Sequence, residues 1–208
     1  MRQDCKEKRV QFIDASVKTR ETFKFAHPSE QISAVEKYCT AVYGSNLWDL
    51  RSPEAEMVYN SWKTSVKLSW NVPRGCRTYL LQNFLAPGLI SLRVNIMTRF
   101  RSFFRSLMSS PSKEVQIVSR LAARDMRSTL RSNLALLREE TGLDPWIVSP
   151  AHLRRELISA ETSSIPAEDQ WRVPYLKKLL DQRNSAYYCG EQEREEHLQK
   201  LIDSLVVN

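Results

Sequence analysis

Ser52-Pro53-Glu54-Ala55-Glu56-Met57-Val58-Tyr59-Asn60-Ser61-Trp62-Lys63-Thr64-Ser65-Val66 is the stretch that decides the fold class. A serine N-cap, a proline at the first helical position and two glutamates in the first turn are what the exposed N–H groups of a helix start require. Ala55, Tyr59, Trp62 and Val66 then recur at helical spacing with Val58 beside them, which predicts one buried stripe. Lys63 and Lys67 stand one turn apart on a different face. Trp62 and, beyond it, Trp70 are expected as core anchors, because each buries a large apolar area. Pro73 and Gly75 end the helix.

The same reasoning extends in both directions. Residues 2 to about 25 read as a charged helix with Val10, Ile13 and Val17 on one side, broken at His27-Pro28-Ser29. Ser29 is expected to cap a helix carrying Ile32, Val35, Cys39 and Val42, with Gly44 as its stop. After a short helical turn over Thr78 to Leu85, closed by Pro87-Gly88, a helix over about Leu89 to Ser109 puts Leu89, Leu92, Ile96, Phe100, Phe103, Phe104 and Leu107 in a sector of about 120°. Arg101 and Arg105 fall on the other side, with Arg99 at the border. Arg93 falls in the apolar sector, so either it is buried with a partner or the helix starts later. Ser112 caps the next element, whose Val115, Val118, Leu121 and Ala122 are expected to point inward. Past Gly142 and Asp144-Pro145, prolines 150, 166 and 174 punctuate short helical runs, and the last helix covers Glu191 to Val207. The expectation is an all-α chain: a linker helix over 1–27, a basic multi-helix bundle over 28–142, and a smaller acidic helical region over 143–208.

A chain of 208 residues with 42% hydrophobic residues and only 5 glycines can bury a core of helices. No segment approaches the roughly 18 uninterrupted apolar residues of a membrane span, so no membrane partner is expected and the location is expected to be intracellular, cytoplasmic or nuclear. Cys5, Cys39, Cys76 and Cys189 lie far apart, without zinc-ligand spacing, and His27, His152 and His197 neighbour no paired nucleophile. With no glycine-rich phosphate loop, the residues offer no catalytic set and imply no metal or cofactor.

The charge is uneven. Residues 71–138 carry 12 Lys/Arg against 2 Asp/Glu, while residues 139–208 carry 8 against 13. Eleven of those 12 are arginines, whose planar fork suits phosphate contact and stacking on bases, so a nucleic acid is the expected partner. The candidate contacts are Lys63, Lys67, Arg74, Arg77, Arg99, Arg101, Arg105, Arg120, Arg124, Arg127, Arg131 and Arg138. The last five recur at offsets 0, 4, 7, 11 and 18, a stripe of about 27 Å if one helix carries them. Ser128 and Thr129 are also plausible caps of a second helix, in which case the stripe becomes two patches. The competing reading is a protein-interaction or structural helical domain whose basic middle packs on its own acidic end or on an acidic partner.

Tyr43-Gly44-Ser45-Asn46-Leu47-Trp48, followed by Trp62, Val66, Trp70, Pro73-Arg74 and Thr78-Tyr79, resembles the segment after the polymerase core in reverse transcriptases of non-LTR (LINE-type) retrotransposons. Arg99-Phe100 to Phe103-Phe104, then Ser128 with Asn133-Leu134, is similar to two further segments of that family. Trp171 to Pro174, Tyr187-Tyr188 and Leu201 to Leu205 resemble the closing stretch of some of its reading frames. The resemblance implies a thumb and post-thumb region that grips template-primer or element RNA. It also implies palm and fingers domains as partners, should the chain be part of a longer protein. Those enzymes hold two metal ions on a palm Asp-Asp pair. This sequence contains no Asp-Asp, so it is expected to have no polymerase chemistry of its own.

Overall fold

A computed structural model describes residues 2–40, 42–72, 90–162 and 172–207. Among them are nine α-helices and no strand: α1 Arg2–Thr22, α2 Pro28–Cys39, α3 Pro53–Ser69, α4 Leu92–Met108, α5 Lys113–Arg124, α6 Thr129–Thr141, α7 Pro150–Thr162, α8 Arg172–Cys189 and α9 Gln192–Val207, with a short 3₁₀ turn at Ser45–Leu47. The chain is all-α. The turn expected at Thr78 to Leu85 lies outside the described residues.

The helices form two compact units, each discontinuous in sequence. One comprises Met1–Phe12, Thr40–Trp62 and Ile90–Ala160; the other comprises Ile13–Cys39, Lys63–Leu89 and Glu161–Asn208. This division runs along other lines than boundaries at 27/28 and 142/143, because α1 and α3 each contribute residues to both units.

In the first unit, the turn after Tyr43 is the keystone. Gly44 takes φ +81°, a left-handed conformation that side chains rarely adopt, and so starts the 3₁₀ turn rather than stopping α2, which ends at Cys39. Trp48 is fully buried, and its indole N–H donates to Asp4 at 2.7 Å. Asn133 of α6, also buried, clamps this segment from both sides: its Oδ1 accepts from the Leu50 N–H at 2.9 Å and its Nδ2 donates to the Trp48 carbonyl at 2.7 Å. Two sequence motifs 83 residues apart thus meet through one amide. Around them pack Ala55, Val58, Tyr59 and Trp62 of α3 and Leu92, Ile96, Phe100 and Phe104 of α4, all buried. Ser52 caps α3 as its sequence requires, accepting from the Ala55 N–H at 3.2 Å.

Three helix starts and faces need comment. The buried residues of α1 in this unit are Cys5 and Phe12, while Val10 is 57% exposed. Ile13 and Val17, in the other unit, are also exposed, and Ser16 is buried in their place. Residues 5, 12 and 16 share one helical face about 120° from the side that carries Val10, Ile13 and Val17. The cap of α2 is His27 rather than Ser29, since Pro28 takes the first helical position and the Ser29 N–H donates to His27 Nδ1 at 3.3 Å. Helix α4 begins at Leu92, capped by Ser91, and Arg93 is held by a two-pronged pair with Glu140 of α6, one arm at 2.7 Å. Arg93 thus has the partner expected of it but is only half-buried, and the helix does start later than Leu89.

The second unit is built on an α8–α9 hairpin that buries Leu176, Leu179, Leu180, Ala186, Leu198 and Ile202. Gly190 turns the chain at φ +72°, with the Gly190 N–H bonded to Tyr187 O and the Glu191 N–H to Ala186 O. Val66 and Trp70 complete the core at the end of α3, where Trp70 meets the His27 ring edge-on at 5.7 Å.

Candidate nucleic-acid interface

The sequence-predicted contacts separate by burial. Arg74 and Arg77 lie outside the described residues. Lys67 is buried and Lys63 half-buried, which removes Lys67 from any working surface. Arg101 must also be withdrawn. It is only 4% exposed, its guanidinium lies 5.9 Å from the Phe104 ring, and Nη2 reaches the Trp146 carbonyl at 3.5 Å. Burial lowers its pKa and repulsion from Arg105 lowers it further. Trp146, edge-on to Phe104 at 5.0 Å, forms part of the cover, and nothing in the period of α4 announces it.

Arg99, Arg105, Arg120, Arg124, Arg127, Arg131 and Arg138 remain exposed, all in the first unit. Arg99 donates to the Thr40 carbonyl at 3.3 Å. The side chains of Arg105, Arg120, Arg124, Arg127 and Arg138 make no hydrogen bond or ion pair with a described residue. Nearby carboxylates are engaged elsewhere, Glu140 with Arg93 and Glu139 with Arg51 at 2.7 Å.

The stripe from Arg120 to Arg138 is broken. Helix α5 ends at Arg124 because Asp125 turns to extended geometry, ψ 123°, and its carboxylate accepts the Arg127 N–H at 3.0 Å, a local bond that competes with helix continuation. Ser128 then caps α6, accepting from the Leu130 N–H at 3.1 Å. Arg131 partly repairs the gap: its Nη1 donates to the Arg124 carbonyl at 2.7 Å, so one guanidinium caps the end of α5. The result is a junction cluster of Arg124, Arg127 and Arg131, extended along α5 by Arg120 and along α6 by Arg138. Lys113 shares the Arg120 and Arg124 face of α5, and α7 exposes Arg154. Neither is among the candidate contacts drawn from the sequence, although the adjacent Arg154-Arg155 pair is a signal in it.

No family model, curated protein or solved structure matches this chain.

Helix α5 contradicts its sequence pattern in a second respect. Its inward-predicted Val115, Val118 and Leu121 are 37%, 64% and 61% exposed, and Ile117 and Met126 are exposed with them. Only Ser119 and Ala123 are buried, a narrow small-residue edge. The basic flank therefore borders an open apolar face. Among the described residues no group of three potential ligands is placed to hold a metal ion, and no helix is long and apolar enough to cross a membrane.

Proposed function

We propose that the chain is a nucleic-acid-binding helical module, the thumb and post-thumb part of a non-LTR retrotransposon reverse transcriptase, that grips template-primer or element RNA without polymerase chemistry of its own. The observation that carries this reading is the set of exposed arginines in one unit whose charges have no internal partner. An unpaired guanidinium costs nothing in water but presents a fork of donors to a phosphate oxygen. Around the α5–α6 junction the backbone of Asp125 to Ser128 gathers two of them, Arg124 and Arg127, beside Arg131, which caps α5. Trp48 and Asn133, residues of two separate motifs of the resemblance, are joined by a hydrogen bond that locks the turn against α6. Contacts are expected mostly to phosphates, with little base specificity.

Fluorescence anisotropy with an RNA hairpin, a DNA duplex and an RNA–DNA hybrid at two ionic strengths tests the reading. Binding should weaken steeply with salt, and replacing Arg120, Arg124 and Arg127 with Gln should reduce the log–log slope by roughly one per residue that contacts a phosphate. Binding that is absent at low salt, or indifferent to those substitutions, would sink it.

The open apolar face of α5 favours a second reading, a protein-interaction domain that meets an acidic partner. In that case Val118 and Leu121, rather than the arginines alone, would decide binding.

A further inference from the structure

The second unit contains a cleft of about 460 Å³ between the end of α1, the start of α2, the end of α3 and α8, a volume within the range of small-molecule sites. Arg183, one of its lining residues, anchors a polar network. Arg183 is buried, with Nη2 donating to the Trp70 carbonyl at 2.6 Å and to Asn184 Oδ1 at 2.9 Å, and Nη1 donating to the Asn71 carbonyl at 3.1 Å and Gln199 Oε1 at 2.7 Å. The Trp70 and Asn71 carbonyls are delivered by a left-handed turn at Asn71, φ +50°, which closes α3 with the Val72 N–H on Lys67 O. Arg183 thus commits its four Nη–H donors to the fold.

Two residues that line the cleft each hold a buried donor without a partner. Because Arg183 is a donor only, Asn184 must turn Oδ1 towards it, which leaves Nδ2 as a fixed donor. Asn184 is 7% exposed and Nδ2 has no partner. Arg20 Nε, on another lining residue, is likewise buried without a partner, and Arg20 makes no ion pair with a described residue. Leaving such donors dry costs free energy that an acceptor from outside would restore. Lys24 adds a cation at the rim, and the rings of Tyr187 and Tyr188, 5.4 Å apart and half exposed, add aromatic surface, with Tyr188 anchored to the Ala26 carbonyl at 2.7 Å.

Glu21 and Glu195 also line the cleft. A bare anion would meet these carboxylates as well as the cations and gain little. A molecule with an oxyanion at one end, an aromatic ring, and hydroxyl or N–H donors for the carboxylates satisfies every part. We propose that this cleft binds a nucleotide, its phosphate against Arg20 and Asn184, its base against the tyrosine pair and its sugar or base donors towards the glutamates. The site is independent of the arginines of the first unit, so either claim can fail alone.

Calorimetric titration of the full chain with UMP, uridine and inorganic phosphate decides the matter. UMP should bind at least about tenfold tighter than uridine or phosphate, the contribution expected of a charge-assisted contact in a sheltered site. Arg20→Gln and Asn184→Asp should each remove the preference for UMP over uridine. Should Asn184→Asp disturb the Arg183 network and unfold the unit, Arg20→Gln decides by itself, because that side chain supports no hydrogen bond of the fold. Gln variants of Arg120, Arg124 and Arg127 should bind UMP as the unsubstituted chain does. Competition with 5′-phosphorylated and 5′-hydroxyl oligonucleotides identifies the source. Displacement of UMP by the phosphorylated strand alone supports a strand terminus as ligand, and failure of both strands supports a free nucleotide. Uridine or phosphate matching UMP, or Arg20→Gln binding UMP undiminished, would overturn the proposal.

Discussion

Asn133 is the residue on which the first unit turns. Its one amide satisfies the Leu50 N–H and the Trp48 carbonyl, both in a segment with no regular structure to do so. Asn133→Ala should therefore lower unfolding stability by about 2–4 kcal/mol, read by urea titration, since it strands two buried backbone groups at once. Cys5 offers a pH test. Burial, with Asp4 and Glu54 adding, pushes its thiol up to about 11 from an ordinary value of 9.0. A raised acid binds its proton more tightly in the folded state, so this contribution is intact below about pH 9 and is lost as pH rises towards about 11. The chain should lose stability over that window, and Cys5→Ala should show a shallower loss. At neutral pH a thiol reagent should modify the exposed Cys189 while sparing Cys5.

At the scale of elements, the sequence was legible where a local signal fixes a local structure. Ser52, Ser112 and Ser128 cap their helices, and the α3 stripe of Ala55, Val58, Tyr59, Trp62 and Val66 is buried as its period requires. Ser112→Ala and Ser128→Ala should each cost about 1 kcal/mol in thermal or urea unfolding. What was not legible is whether anything lies against an apolar face. In α1 two stripes competed and the one with fewer large side chains is buried. In α5 periodicity marks Val115, Val118 and Leu121 as a face, but no described element covers it. The burial of Arg101 depends on Trp146, 45 residues away, which a helical wheel cannot contain. Val118→Lys and Leu121→Lys should consequently change stability by no more than about 0.5 kcal/mol, as surface substitutions do. A loss of 2 kcal/mol or more, on the scale of about 2–5 for core truncations, would mean the face is packed after all.

For the whole molecule, charge and architecture can be read together. The first unit holds 17 Lys/Arg and 11 Asp/Glu, the second 14 and 13, so nearly all of the +7 belongs to the unit with the unpaired arginines. The sequence located that charge in residues 71–138 but could not foresee that α7, with Arg154 and Arg155, joins the same unit. Nor did it separate surface arginines from buried ones. Arg93 and Arg101 are structural, whereas Arg105, Arg120, Arg124, Arg127 and Arg138 remain free to act. The most direct measurement is the affinity of the full chain for an RNA–DNA hybrid across a salt series, repeated with Arg120, Arg124 and Arg127 changed together to Gln. A steep log–log slope that becomes shallower by roughly three in the triple variant, with helicity by circular dichroism unchanged, is the expected result. A flat slope in the unsubstituted chain, or an equally steep one in the variant, would contradict a phosphate-gripping role for this surface.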